Sequence, residues 1–346
     1  MKELNGMKLN IKFTALAAVF IAALMLLSPI SQTNTSGGGG IGNSDLDFLN
    51  SLDINNNHFV LSADSLSDSV DINNVEVVNE SETKELQCND KEVDSTTTFI
   101  SVKDEQGLNK LSDLVNNDGF DFSGYTIKLT ENLTLDDPNL NQSNFTPIGK
   151  DEQHKFNGIF DGQGHAISNL LFNITSDSSE VVVGLFGYLG SNATVKDLGI
   201  INSSISTTST GDIAGSGGIA AYNEGTITNC YNTGDVNGSG YSGGIAGYNS
   251  GTITNCYNTG IVTGTGDSGG IAGHQGTFTT NEGTISNCYN TGDVTGTENS
   301  GGIAGDNYGT IENCYNTGTV EATTNNNAYS GGIAGDNYGT IENCYN

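Results

Sequence analysis

Three hydrophobic patterns succeed one another along this chain. Near the N-terminus, "FTALAAVFIAALMLL", from Phe13 to Leu27, is apolar but for Thr14. In the middle, "KDEQGLNKLSDLVNNDG" spaces Leu108, Leu111, Leu114 and Val115 at helical intervals, and Gly119 stands where a helix would stop. This predicts one amphipathic helix over 104–117, followed by a strand in the alternating "YTIKLTENLTL". Beyond that, apolar residues come only in short clusters separated by Gly, Asn and Thr, as in "GGIAGYNSGTITNCYNTGIV".

These clusters repeat. "NCYN" occurs five times, and an Ile precedes each Cys by three residues: Ile227/Cys230, Ile253/Cys256, Ile285/Cys288, Ile311/Cys314 and Ile341/Cys344. The Cys residues step by 26, 32, 26 and 30, and the longer steps carry extra polar residues such as "HQGTFTTNEG" and "EATTNNNAYS". Length variation confined to such stretches marks loops. Two degenerate copies precede the five. "GIFDGQGHAISNLLFN" places Ile167 and Leu170 in the Ile and Cys slots, and "GLFGYLGSNATVKDLGI" places Val195 and Leu198 there; Gly158 and Gly184, which open them, lie 26 apart.

A slot that takes Leu or Cys is a buried apolar position, and Cys packs as a small hydrophobe. The expected core stack is Leu170, Leu198, Cys230, Cys256, Cys288, Cys314 and Cys344, mostly as free thiols. In a straight strand an offset of three would send the Ile and the Cys to opposite faces. A bend between them resolves this. Asn229, Asn255, Asn287, Asn313 and Asn343 occupy that bend, with Asn169 and Asp197 in the degenerate copies; Asn and Asp tolerate the left-handed backbone better than other side chains. A period near 26 then gives one solenoid turn per repeat, about seven in all, with parallel strands about 4.8 Å apart. The later Val236, Val262, Val294 and Val320 also point inward. The Gly and β-branched content penalises helical repeats at every turn.

Charge removes some partners. With 11 Lys, no Arg and 40 acidic residues, the net charge is -29, which repels phosphate backbones, so nucleic acid is not expected as a partner. Lys2, Lys8 and Lys12 ahead of the apolar run, with "SPISQ" after it, make 1–32 an export signal or N-terminal anchor. Residues 33–100, opening with "TNTSGGGGIGNSD", have the composition of a disordered acidic linker. The expected organisation continues with a capping helix and entry strands over 101–150 and the solenoid over 151–346.

The repeat "GGIAGYNSGTITNCYNTGIVTG" resembles the GLUG motif of bacterial and archaeal surface proteins, including adhesins and non-catalytic parts of IgA-cleaving proteases. "FTPIGKDEQHKFNGIFDGQGHAISNLLF" is similar to the segment that often precedes such arrays, so the resemblance spans about 145–346. It implies a right-handed parallel β-helix, all-β apart from the helix, placed outside the cell and without catalytic residues of its own. The repeats use Ile-Ala where a Leu-Val type pair is common.

The candidate chemistry is sparse. Tyr231, Tyr257, Tyr289, Tyr315 and Tyr345 should form an outward file, either stabilising the strand surface by stacking or contacting a glycan or protein. A host or cell-surface glycan or protein is thus the expected partner of an adhesin-like, non-enzymatic surface protein. The alternative is a carbohydrate-active β-helix enzyme, a polysaccharide hydrolase or lyase. Asp161 in "FDGQGH", four residues before His165, is its best acid, but that stretch also reads as a Gly-rich turn. His58, His154, His165 and His274 show no metal-ligand spacing, so no cofactor is expected, save a calcium ion relieving repulsion between stacked Asp306/Asp336 and Glu312/Glu342.

Overall fold

The computed structural model describes residues 98–135, 145–178, 180–209, 213–277, 282–323 and 328–346, together with four earlier strands, Lys8–Lys12, Asp53–Asn55, His58–Ser62 and Asp90–Val93. The chain divides into two units, Met1–Leu86 and Gln87–Asn346. In the first, His58–Ser62 pairs antiparallel with Lys8–Lys12 on one side and Asp53–Asn55 on the other. One of these strands falls in the segment read as an export signal and two in the segment read as linker. The apolar run Phe13–Leu27 lies outside the described residues.

The second unit is a parallel β-helix. A single turn shows its construction. Ala246–Asn249, Thr252–Thr254, Tyr257–Asn258, Val262–Gly264 and Ser268–Gly269 are five short strands joined by tight corners. Each pairs in parallel with the same segment of the turn before and the turn after, so five sheets run along the molecule. Identical residues fall in register: Ile227 beside Ile253 beside Ile285, and Tyr231 beside Tyr257 beside Tyr289.

The sheet through the Thr-Ile-Thr strands is the longest. Its parallel rungs begin at Thr98–Val102 and Thr126–Leu129, continue through Ile159–Asp161 and Thr194–Lys196, and end at Thr340–Glu342; Asp90–Val93 closes the first edge antiparallel. Seven of these rungs lie within 151–346, the number expected. Two more precede them. Within this unit pairing therefore starts at Asp90, inside the segment expected to be linker, and Phe99, Ile100 and Val102 of "TFISV" are buried where that strand meets the next rung.

The helix spans Glu105–Asn116 and joins the first two rungs. The Asp104 side chain caps it by accepting from Gly107 N at 2.8 Å, and Gly119 turns the chain away with φ +68°. Leu108, Leu111, Leu114 and Val115 are all buried. The helix packs on the strand Thr98–Val102 and is tied to the next loop. Ser112 Oγ donates to Thr146 O at 2.7 Å, Asn116 Nδ2 donates to Pro147 O at 2.8 Å, and Asn116 Oδ1 accepts from Gly149 N and Lys150 N at 3.0 and 2.9 Å.

The core is a set of files parallel to the axis. Ile100, Ile127, Phe160, Val195, Ile227, Ile253, Ile285 and Ile311 form one; Ile219, Ile245, Ile271 and Ile303 form another; Phe172, Ile205, Val236, Val262 and Val294 a third. All are essentially fully buried, and each such side chain contributes about 1.5–3 kcal/mol. One corner needs Gly. A Cβ on Gly243 would run into the carbonyl oxygen of Ala246, three residues on.

The first solenoid turns correct the expected alignment. Phe160, not Ile167, pairs with Val195 in the Ile file, while Ile167 pairs with Ile200 one sheet further on. Leu170 is therefore buried but stands outside the Cys file, with its N–H donating to Ser203 Oγ at 3.1 Å. Gly158 precedes a strand of the Thr-Ile-Thr sheet and Gly184 a strand of the Ala-Gly-Tyr-Asn sheet, so their spacing of 26 is coincidental. Long Phe and Leu side chains fill these wider turns, and apolarity alone does not distinguish one file from its neighbour.

Candidate functional site

The four residues of "NCYN" do four different things. Asn255 turns the corner with φ +53°; Asn229, Asn287, Asn313 and Asn343 do the same with φ between 51 and 53°. Asp197 shares the slot, and Asn229 Nδ2 donates to its Oδ1 at 2.9 Å. Asn169 also has positive φ, but it belongs to a second, two-membered file, where Asn202 Nδ2 donates to its Oδ1 at 2.6 Å.

The Cys points inward. Cys230, Cys256, Cys288 and Cys314 are buried and Cys344 half-buried, all as free thiols, with Leu198 continuing the file in the preceding turn. Cys256 Sγ lies 3.2 Å from Thr254 O and accepts from Cys230 N at 3.4 Å. Burial pushes the Cys256 and Cys288 thiols well above the ordinary range. They are protonated, inert core atoms at neutral pH.

The Tyr points outward. Tyr231, Tyr257, Tyr289, Tyr315 and Tyr345 stack with ring centroids 4.9–5.2 Å apart and planes within 6° of parallel. The faces of the inner rings are thus shared among themselves, and edges and hydroxyls form the outer ridge. Only the last ring, Tyr345, is widely exposed, at 63%. Burial raises the Tyr257 and Tyr289 hydroxyls, so they stay neutral donors.

The final Asn is buried, a role the sequence reading missed. Asn232, Asn258, Asn290 and Asn316 each donate from Nδ2 to Oδ1 of the next, at 2.9, 2.9, 2.8 and, to Asn346, 2.7 Å. A second amide ladder runs Asn223 to Asn249 to Gln275, and again from Asn307 to Asn337. The signal was present as a strictly repeated Asn directly after a surface Tyr, where period-two alternation predicts an inward side chain.

Asp161 is engaged in structure. Lys196 Nζ sits 2.6 Å from its Oδ2, and its Oδ1 accepts from Gln163 N at 3.0 Å within the turn that holds Gln163 and Gly164 at positive φ. Burial raises its pKa, but the bonds from Lys196 and Gln163 outweigh this and hold it below the usual range. A general acid needs the opposite shift.

The structure also gathers a group the sequence did not suggest. Asp267, His274 and Asp306 are each only 8% exposed, and one ligand atom of each lies within 4.8 Å of the others. His274 Nδ1 is 3.2 Å from Asp267 Oδ2 and 3.9 Å from Asp306 Oδ2. His274 takes the place of Tyr248 in the preceding turn, and Asp306 follows it in the next. Its ring stacks between Tyr248, at 5.3 Å, and Tyr308, at 5.4 Å. The absence of a ligand spacing around His274 was misleading because the three residues come from three successive turns and meet only once the coil is wound. Burial and the neighbouring Asp267 push Asp306 up to about 6. Asp306 and Asp336 are in register, as are Glu312 and Glu342, so the expected stacked acids exist.

Inward thiols and amides, outward phenols and one turn per repeat define a repeat protein of the β-solenoid class. The repeat itself is the GLUG motif, which matches at residues 212–237, 238–263, 264–295 and 296–321. Halomucin from Haloquadratum walsbyi is 39% identical over 95 residues, 28% of this chain; the match spans 1% of Halomucin's own length. A solved structure from Bacteroides ovatus, named as a candidate immunoglobulin A1 protease, superposes with a TM-score of 0.51 at 26% identity, covering 73% of this chain and 76% of that one.

Proposed function

We propose that the chain is a non-enzymatic protein of the cell exterior, exported by its N-terminal segment, whose solenoid presents a repeated face to glycan or protein partners. The observation that carries this is the Tyr file: five phenol edges repeat every 4.9–5.2 Å along one sheet. A ridge of identical donors favours many weak contacts over one deep pocket, and avidity then supplies the affinity. The net charge of -29 and the lack of any Lys or Arg after Lys196 steer it away from anionic surfaces. The similarity to Halomucin supports an exterior repeat protein. The Bacteroides ovatus neighbour supports the solenoid; protease activity is not carried over, because Asp161 is ion-paired and the repeats present inert thiols.

The test is binding of the full chain to a glycan array and to immobilised extracellular proteins, with release of saccharide or peptide measured in parallel. Saturable binding that falls at least tenfold in Tyr257→Ser/Tyr289→Ser, without product release, is expected. Product release abolished by Asp161→Asn would establish the polysaccharide-cleaving alternative instead.

A further inference from the structure

Two carboxylates and one imidazole lie buried together; among the described residues the other buried acid, Asp161, is already paired with Lys196. Asp267 and Asp306 each lose most of their hydration, at 8% exposure, and share one imidazole between them. Burying like charges side by side is costly unless a cation or further hydrogen bonds compensate. Here the hydrogen bonds are incomplete: Asp306 Oδ1 is buried and has no partner.

We infer that Asp267, His274 and Asp306 bind one divalent first-row transition ion of the Zn2+ type. The donor set selects the class. An imidazole suits Zn2+, Ni2+ or Cu2+, whereas Ca2+ takes oxygen donors alone and needs six to eight. Bond lengths of about 2.0–2.2 Å in a tetrahedral site put ligand atoms about 3.3–3.5 Å apart. The two imidazole–carboxylate separations of 3.2 and 3.9 Å bracket that spacing, so small side-chain rotations complete the set. His274 is already oriented. Tyr248 and Tyr308 clamp its ring on both faces, and Tyr241 lies against it at 4.9 Å. Three protein ligands leave a fourth position for water or for a donor from a partner.

The aromatic file also supplies the right variant. The slot of His274 holds Tyr188, Tyr222 and Tyr248 in the three preceding turns, stacked in sequence. His274→Tyr therefore extends the existing stack while deleting the imidazole. The experiment is calorimetric titration of the full chain, stripped with chelator, with Zn2+ and separately with Ca2+, accompanied by thermal melting. One Zn2+ per chain is expected, raising Tm, with affinity falling at least tenfold in His274→Tyr and in Asp306→Asn while both variants melt cooperatively. Co2+ should give a visible d–d spectrum without a thiolate charge-transfer band, which separates this site from the cysteines. Zn2+ binding unchanged in both variants, absent from the wild type, or matched by Ca2+ would overturn the assignment.

Discussion

Asn258 and Asn290 occupy the same slot in successive turns, and the side-chain amide of the first donates to the carbonyl oxygen of the second at 2.9 Å. Asn258 also donates to Gly260 O at 2.8 Å and accepts from Asn232 Nδ2 at 2.9 Å, with no exposure to solvent. Asn258→Asp keeps the shape and deletes both donors. Each buried group left unpaired costs about 1–3 kcal/mol, so this change should lower the urea midpoint strongly. Asn255→Asp, three residues earlier on the exposed corner of the same turn, should move it by less than about 0.5 kcal/mol. Equal effects at both positions would show that the ladder contributes nothing particular.

The corner itself tests the backbone. With φ +53° at Asn255, a β-branched residue must adopt a conformation it strongly avoids. Asn255→Val should cost about 1–2 kcal/mol or more, and Asn255→Gly should be close to neutral. Chemical denaturation of the two variants gives the comparison, and the order Val below Gly is the result that matters.

At Gly243 the constraint is contact instead of dihedral angle. A methyl group there meets the carbonyl oxygen of Ala246, which belongs to the backbone and cannot swing away. Gly243→Ala should destabilise by about 1–3 kcal/mol, seen as a lowered Tm. The same change at Gly164, where nothing lies within 4 Å of the added carbon, meets only the strain of its positive φ of +80°.

The thiols follow from burial. Cys256 and Cys288 sit in the core with their pKa pushed up, so iodoacetamide at neutral pH should leave them unmodified in the native protein. Cys344, half-buried in the last turn, should react first among the repeat cysteines. Peptide mapping after a short pulse distinguishes them, and labelling of all five at one rate would mean the turns open together.

The regular turns were legible because the sequence repeats its own geometry. The slot shared by Cys and Leu198, the Asn at the bend and the offset of three fixed both the inward Cys and the left-handed corner. The degenerate first turn was not legible in the same way. Ile167 and Phe160 are both apolar and both buried, and only the pairing partner tells them apart. The amide ladders were hidden for a different reason. Asn reads as a loop residue by propensity, yet stacked Asn side chains satisfy one another when the same residue recurs at every turn. Asp267, His274 and Asp306 could not be read from spacing, since their proximity is a product of winding.

Acid should weaken the half-buried ion pair between Asp161 and Lys196 in the early turns. Asp161 Oδ2 meets Lys196 Nζ at 2.6 Å, and Lys196 also reaches Asp197 Oδ2 at 3.5 Å. Burial works against the Asp161 carboxylate, but the hydrogen bonds from Lys196 and Gln163 prevail and hold its pKa below the ordinary value of 3.8. A carboxylate with a depressed folded pKa contributes stability that is complete above its unfolded pKa and disappears as pH falls through the folded one. The contribution of this pair is therefore present at neutral pH and is lost below about pH 4. Lys196 moves the other way: the bond to Asp161 raises its pKa above 10.5 despite burial, so its share persists at neutral pH and is lost only in strong alkali. Asp161→Asn should cost about 1–2 kcal/mol at pH 7, a modest figure because Lys196 is a third exposed to solvent, and the difference from wild type should narrow on acidification below pH 4. Urea titrations of both proteins at pH 7 and pH 3 check the sign. A difference that widens in acid would mean that the carboxylate destabilises this turn, and that its pairing with Lys196 does not repay its burial.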